Sequence, residues 1–254
     1  MRCIKRLELF FMLAFAVVLV PCYGQNTAQV NNIQANGGLV IIGVSGRFSN
    51  RNQSIAMALT DAARKLSFFN SVTASSVNIE RFGISALDVN IDSSYQLRYD
   101  EELEKFLDRL EFNPKTDVFE NNNAVFVITK VASNVSMPAF RGHSFDRKKP
   151  SWIDNPPAEI DGFIAGVGFS GRLSSHRDTV IKSYEKAVVS IIENIEVKVQ
   201  GDQFIWQDNS FLGFLDSSSN ETHIIGTLQN FYVIESWTDP SNLSVWTLAV
   251  AKRR

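Results

Sequence analysis

The feature that most constrains this chain is a repeat of itself. Gly43-Val44-Ser45-Gly46-Arg47-Phe48-Ser49 aligns with Gly168-Phe169-Ser170-Gly171-Arg172-Leu173-Ser174 at a constant spacing of 125 residues, with five of the seven positions identical. An apolar run leads into each copy, Leu39 to Ile42 and Phe163 to Val167, as a short buried strand bounded by glycine requires. A helical pattern follows each copy. Ile55, Leu59, Ala62, Leu66 and Phe69 recur at three- and four-residue spacing in the first, and Val180, Tyr184, Ala187, Ile191 and Ile195 do so in the second. Ser49, Asn50, Ser174 and Ser175 stand where N-caps belong. Each copy therefore opens as strand, glycine turn and amphipathic helix.

The copies also close alike. Val125-Phe126-Val127-Ile128 corresponds to Val245-Trp246-Thr247-Leu248, and the shorter second interval places an extra segment in the first copy. That segment falls near Asp100 to Phe112, where Leu103, Phe106, Leu107 and Leu110 predict an additional amphipathic helix. Val72 to Phe82, Ile195 to Trp206, Ile224 to Ser236 and Val245 to Ala251 read as strands, the last two joined through the turn signal Asp239-Pro240-Ser241-Asn242. Strands that run into a meander after one helix imply an α+β fold: two tandem modules, each an amphipathic helix packed on a small antiparallel sheet. The expected organisation is a signal peptide over 1–24, a first module over 37–132, a linker over 133–157 that is rich in proline, basic and turn residues, and a second module over 158–254.

The signal peptide is read from Arg2, Lys5 and Arg6 ahead of an apolar stretch from Leu7 to Val20, which only Glu8 interrupts. The stretch is shorter than the roughly 20 residues a membrane span needs. A cut after Gly24 suits the small residues Cys22 and Gly24, whereas acylation of Cys22 sets Pro21 before the modified cysteine, so membrane attachment is expected only if Cys22 is lipidated. Both cysteines, Cys3 and Cys22, lie in this segment, which leaves the processed chain without disulfide or thiol chemistry. Of 25 basic and 27 acidic residues, the segment carries three basic and one acidic. What remains is mildly acidic, with no electrostatic footprint for nucleic acid; Arg147-Lys148-Lys149 and Lys252-Arg253-Arg254 read as a linker and a solvated terminus.

Lys149-Pro150-Ser151-Trp152-Ile153-Asp154-Asn155-Pro156-Pro157, Phe163 to Gly171, the helix around Ala187 and Val245-Trp246-Thr247-Leu248-Ala249 together resemble the bacterial LPP-twenty lipoprotein family over residues 150–254. The first module resembles a diverged copy without the Pro-Ser-Trp opening. The resemblance implies an envelope protein, periplasmic or outer-membrane associated, without enzymatic activity, and akin to modules in proteins that build the flagellar basal body. It carries no catalytic residues over to this chain.

No catalytic, metal or cofactor site is expected. His143, His176 and His223 lie far apart in sequence and outside metal-ligand spacing, and are read as surface or turn residues. Gly166, Gly168 and Gly171 match the letters of a dinucleotide loop, but the helix begins late and no parallel βαβ unit follows, so close strand–helix packing is the better reading. Acidic neighbours such as Glu101 with Glu102, or Asp88 with Asp92, read as solvated surface. Arg47 and Arg172 are candidate anion grips, Trp152 a plug at the edge of the second module or a partner anchor, and Phe211 and Phe214 part of an apolar lid or docking patch. The expected function is a structural or assembly factor of the envelope, flagellum-associated in one version, that joins envelope or flagellar basal-body proteins or further copies of itself. The alternative is a periplasmic binding module that holds a small anion or glycan at the two Ser-Gly-Arg turns.

Overall fold

A computed structural model describes residues 38–82, 89–200 and 219–253. The expected signal peptide, Cys22, Phe211 and Phe214 lie outside them. The fold is α+β: a three-stranded and a seven-stranded sheet with two long helices.

In the first half, strand β1 (Gly38–Ser45) leads to helix α1 (Arg51–Asn70), and the hairpin β2 (Val72–Phe82) and β3 (Val89–Tyr99) follows. A single turn, α2 (Glu104–Leu107), precedes β4 (Val118–Glu120) and β5 (Val125–Ala132). The second half adds β6 (Gly142–Ser144), a one-turn helix α3 (Ser151–Asp154), β7 (Glu159–Ile160), β8 (Phe163–Ser170), α4 (His176–Gln200), β9 (Ser219–Thr238) and β10 (Val245–Arg253).

The repeat survives as geometry. Ser45 pairs Val125 in the antiparallel ladder of β1 and β5, and Ser170 pairs Val245 in that of β8 and β10, so equivalent residues meet in the same register. The repeated glycines explain the helix placement. A Cβ on Gly43 would sit 1.9 Å from the carbonyl oxygen of Ala58, and one on Gly168 would sit 1.9 Å from that of Ser183, one repeat further on. Gly166 is less tight but still closed, with Ile191 Cγ1 2.5 Å from where its Cβ would stand. The first two glycines of the dinucleotide-like stretch thus let a helix lie on a strand. Two expected N-caps are realised: Asn50 Oδ1 accepts from Asn52 N–H at 2.9 Å, and Ser175 Oγ accepts from Asp178 N–H at 3.1 Å.

The halves interlock. β9 spends its first part against β2 and its second against β10, so β2 and β3 of the first half belong to the larger sheet, whose order is β3-β2-β9-β10-β8-β7. This corrects the expectation of one small sheet for each module. The sheet of β1, β5 and β4 carries α1 on one face and packs Val40, Ile42, Val44 and Phe126 with Val180 and Tyr184 of α4 on the other. Helix α1 in turn packs Leu66 and Phe69 with Tyr232, Ile234 and Val250 of the larger sheet. β1 is therefore buried on both faces, as its uninterrupted apolar run demands.

Three further expectations change. Ile195 to Gln200 is the last part of α4, since no glycine or proline stops the helix before Gly201; the rest of the expected strand lies outside the described residues. The helix expected near Asp100 to Phe112 shrinks to α2, because Glu111 pairs its backbone with Lys130. The stretch expected as a linker holds β6, which runs parallel to β9, and α3, whose Trp152 and Ile153 are buried. β3 is a strand the sequence reading did not identify.

Candidate functional site

The two Ser-Gly-Arg turns share two bonds: Ser45 Oγ and Ser170 Oγ each donate to the carbonyl of the following glycine at 3.0 Å, and a helix hydroxyl accepts from the turn backbone in both. In the first copy Ser45 Oγ also donates to the Ser54 carbonyl at 2.7 Å, and Ser54 Oγ accepts from Phe48 N–H at 3.0 Å. In the second copy Thr179 Oγ1, at the position of Ser54, accepts from Leu173 N–H at 3.0 Å. Each helix thereby pins the turn that precedes it. What this leaves outside is the same in both: an exposed arginine, Arg47 or Arg172, and beside it an exposed apolar side chain, Phe48 at 42% or Leu173 at 44%. Neither guanidinium makes a hydrogen bond or ion pair with another described residue. The repeat thus displays one cation–apolar pair twice.

Buried polar chemistry clusters elsewhere, on the free edge of β1. Among the described residues this strand pairs with β5 on one side only, so its other edge must find partners for the peptide groups of Val40, Ile42 and Val44. Tyr232 Oη donates to the Val40 carbonyl at 3.1 Å, Lys65 Nζ donates to the Ile42 carbonyl at 2.6 Å, and Asp61 Oδ2 accepts from Val44 N–H at 2.9 Å. Asp61 also accepts from Lys65 Nζ at 2.9 Å and from Tyr184 Oη at 2.8 Å. Burial pushes the Tyr184 phenol well up, with the Asp61 carboxylate adding to it, and pushes Tyr232 up to about 12. Both phenols stay protonated as donors, and the cluster acts as a side-chain substitute for a missing strand.

A second polar group flanks it. Tyr95 Oη donates to Glu185 at 3.2 Å with the Lys182 ammonium 4.1 Å from the Tyr95 ring centroid, and desolvation raises the Glu185 carboxyl. This ties β3 to α4.

His143 and His176 correct the sequence expectation. They are 6% and 8% exposed, and their ring centroids lie 6.2 Å apart against Phe126 and Phe145. The chain brings them together because β6 lies beside β9 while His176 opens α4. His143 Nε2 bonds Thr238 Oγ1 at 2.8 Å, and neither His176 nitrogen has a partner among the described residues. Burial holds His176 down at about 4, and burial with the neighbouring His176 and Lys65 holds His143 well below its ordinary range. Both are neutral at pH 7. A cavity of about 30 Å³ borders Lys65, His143 and Tyr184, room for about one water. Among the described residues no three His, Cys, Asp or Glu side chains stand where they could hold a metal ion. The side chain of His223 is outside what is described.

Trp152 is 7% exposed and packs with Ile153, Trp237 and Leu248, so it plugs the sheet face and is not a free anchor. Of the residues singled out from the sequence, Arg47 and Arg172 are on the surface and Trp152 is in the core. The Asp61–Lys65 cap was not singled out, although a carboxylate and an amine four residues apart inside an apolar helical stripe are its signature. Comparison with family models, with curated protein sequences and with solved structures returns no match.

Proposed function

We infer that this protein is a non-catalytic structural or assembly factor of a bacterial cell envelope, periplasmic or outer-membrane associated, that docks partners through its surface turns. The observation that carries the reading is the duplicated pair of an exposed arginine without a partner among the described residues and an exposed apolar residue, Arg47 with Phe48 and Arg172 with Leu173. Arginine beside an apolar anchor is a common composition of binding hot spots. The groups with strongly perturbed protonation, Tyr95, Tyr184, Tyr232 and the two histidines, are buried or half-buried in the fold, and the three phenols hold strands and helices together. The expected signal peptide and the resemblance over residues 150–254 support the envelope compartment, and the flagellar basal body is the specific assembly that resemblance favours.

The test is a deletion strain complemented with the native chain or with Arg47→Glu/Arg172→Glu. Loss of motility or envelope integrity on deletion, restored by the native chain and not by the double variant, is the expected result. A deletion without either phenotype removes the reading.

A second reading has its own observation. Two guanidinium groups without a described partner suit a small anion or an acidic glycan. A thermal shift with phosphate, sulfate or acidic sugars that is lost in Arg47→Ala/Arg172→Ala favours it, and unchanged melting across those ligands removes it.

A further inference from the structure

The two halves differ where β1 and β8 turn their outer edges away from their ladders. The residues of β8 that match Val40, Ile42 and Val44 are Ala165, Val167 and Phe169. Ala165 is satisfied: its N–H donates to the Ala158 carbonyl at 3.0 Å and its carbonyl accepts from Asn194 Nδ2 at 3.1 Å. Val167 and Phe169 have no such partners among the described residues. β7 pairs only with Phe163 and Ile164, and the positions of Asp61 and Lys65 are occupied by Lys186 and Ser190. Among the described residues no group bonds the outward peptide atoms of Val167 or Phe169. An open edge in a long sheet is a template for another strand.

Uncovered aromatic surface begins at the same place. Phe169, Trp246 and Trp237 are direct neighbours across β8, β10 and β9, on the face away from α4. The rings of Phe169 and Trp246 lie 4.4 Å apart, and exposure rises along the row from 4% at Trp237 to 40% at Phe169. The matching row in the first half is Val44, Phe126 and Phe119, in which Val44 is 0% and Phe126 6% exposed. That row is covered by Val180 and Tyr184 of α4 and, at Phe126, also by the extended stretch around β6, with Phe145 5.7 Å and His143 5.1 Å from the Phe126 ring. The cover of that row thus includes, at Phe126, an extended segment bearing an aromatic side chain, and at β8 the open strand edge itself selects an extended occupant.

Charge narrows the choice. Arg172 follows the open stretch, and Lys186 lies on the turn of α4 that packs against Gly168; both are exposed. A second copy that paired its own β8 here would bring the same two cations against them, which disfavours self-pairing.

We propose that the outer edge of β8 at Val167–Phe169 accepts an extended, acidic segment of a partner protein as an added strand, with an aromatic side chain on the Phe169–Trp246 shelf and carboxylates beside Lys186 and Arg172. The proposal rests on the docking reading above and names the class of partner. Backbone bonds supply the register, the shelf supplies the anchor, and the two cations select against neutral and basic strands.

The test pans a phage-displayed library of short random peptides on the full chain and measures the enriched peptides by fluorescence polarisation. The expected sequences combine Asp or Glu with Phe, Tyr or Trp, and their affinity falls at least about tenfold on Phe169→Ser and on Arg172→Glu. The decisive variant is Lys186→Asp/Ser190→Lys, which grafts the β1 edge cap onto β8; it is expected to abolish binding while melting no lower than the native chain. No enrichment, peptides without an acidic and aromatic preference, or binding that survives the grafted cap each overturn the proposal. A chain that sediments as a dimer and becomes monomeric with the graft assigns the edge to a second copy and overturns the acidic partner. A phenotype in the deletion strain without peptide binding removes this proposal alone, and peptide binding without a phenotype removes the envelope-assembly reading alone.

Discussion

At the scale of single residues, the glycines separate by what surrounds them. Gly168→Ala places a methyl group into the backbone of α4, and the helix must move off β8, at a cost of about 2–3 kcal/mol. Gly171→Ala meets open space and is expected to change stability by less than about 1 kcal/mol. Urea midpoints at constant slope measure both, and equal costs would show that the repeat conserves a turn and not a contact. Asp61 gives a sharper case. Asp61→Ala leaves the Lys65 ammonium buried and Val44 N–H without its acceptor, and is expected to cost about 3–5 kcal/mol. Lys65→Met in the same background is expected to recover part of that loss, which a double-mutant cycle reads as coupling; strict additivity would mean the pair is not a unit. The glycines were legible in the sequence because packing glycine and turn glycine share letters. Asp61 was not, because an acid and an amine four residues apart on a helix usually share a solvated face, and only the bare edge of β1 makes them interior groups.

At the scale of elements, the repeat located β1, α1, β8 and α4, β2 matched its expected bounds, and β10 ran two residues past its expected end. Failures occurred where tertiary pairing outweighs local pattern. β6 is three residues long and exists because β9 offers it a parallel edge, which no local period announces. The same strand brings His143 to His176, and that junction titrates. A histidine held at about 4 in the fold and near 6.5 when unfolded is neutral in both states above pH 6.5, so its contribution is fully present there. As pH falls from about 6.5 to about 4 the unfolded chain takes up the proton first, and stability is lost across that window. For His176 the loss is on the order of 3 kcal/mol, and His143 adds to it in the same direction. Denaturation midpoints measured from pH 7 to pH 4 are expected to fall steeply in the native chain and less steeply in His176→Phe. Equal slopes would mean the acid sensitivity lies in other groups.

At the scale of the whole molecule, duplication and separability part company. A sequence repeated at constant spacing suggests two bodies that fold apart, yet the second half alone would lack the strand that pairs the first part of β9, the parallel strand β6, and the β1–β5–β4 sheet that covers one side of α4. Helices short of such cover rarely hold themselves together in water, because their stability comes from packing an apolar face. Residues 158–254 expressed alone are therefore expected to show a collapsed amide spectrum and to bind a hydrophobic dye, with dispersion restored on mixing with residues 38–157. A fragment that unfolds cooperatively by itself would mean that β9 and α4 do not need β1, β2 and β6. The interlock also bears on how the two docking turns act. If both halves belong to one cooperative body, Arg47 and Arg172 are held at a fixed separation, and a partner that engages both gains from geometry and not from a flexible tether.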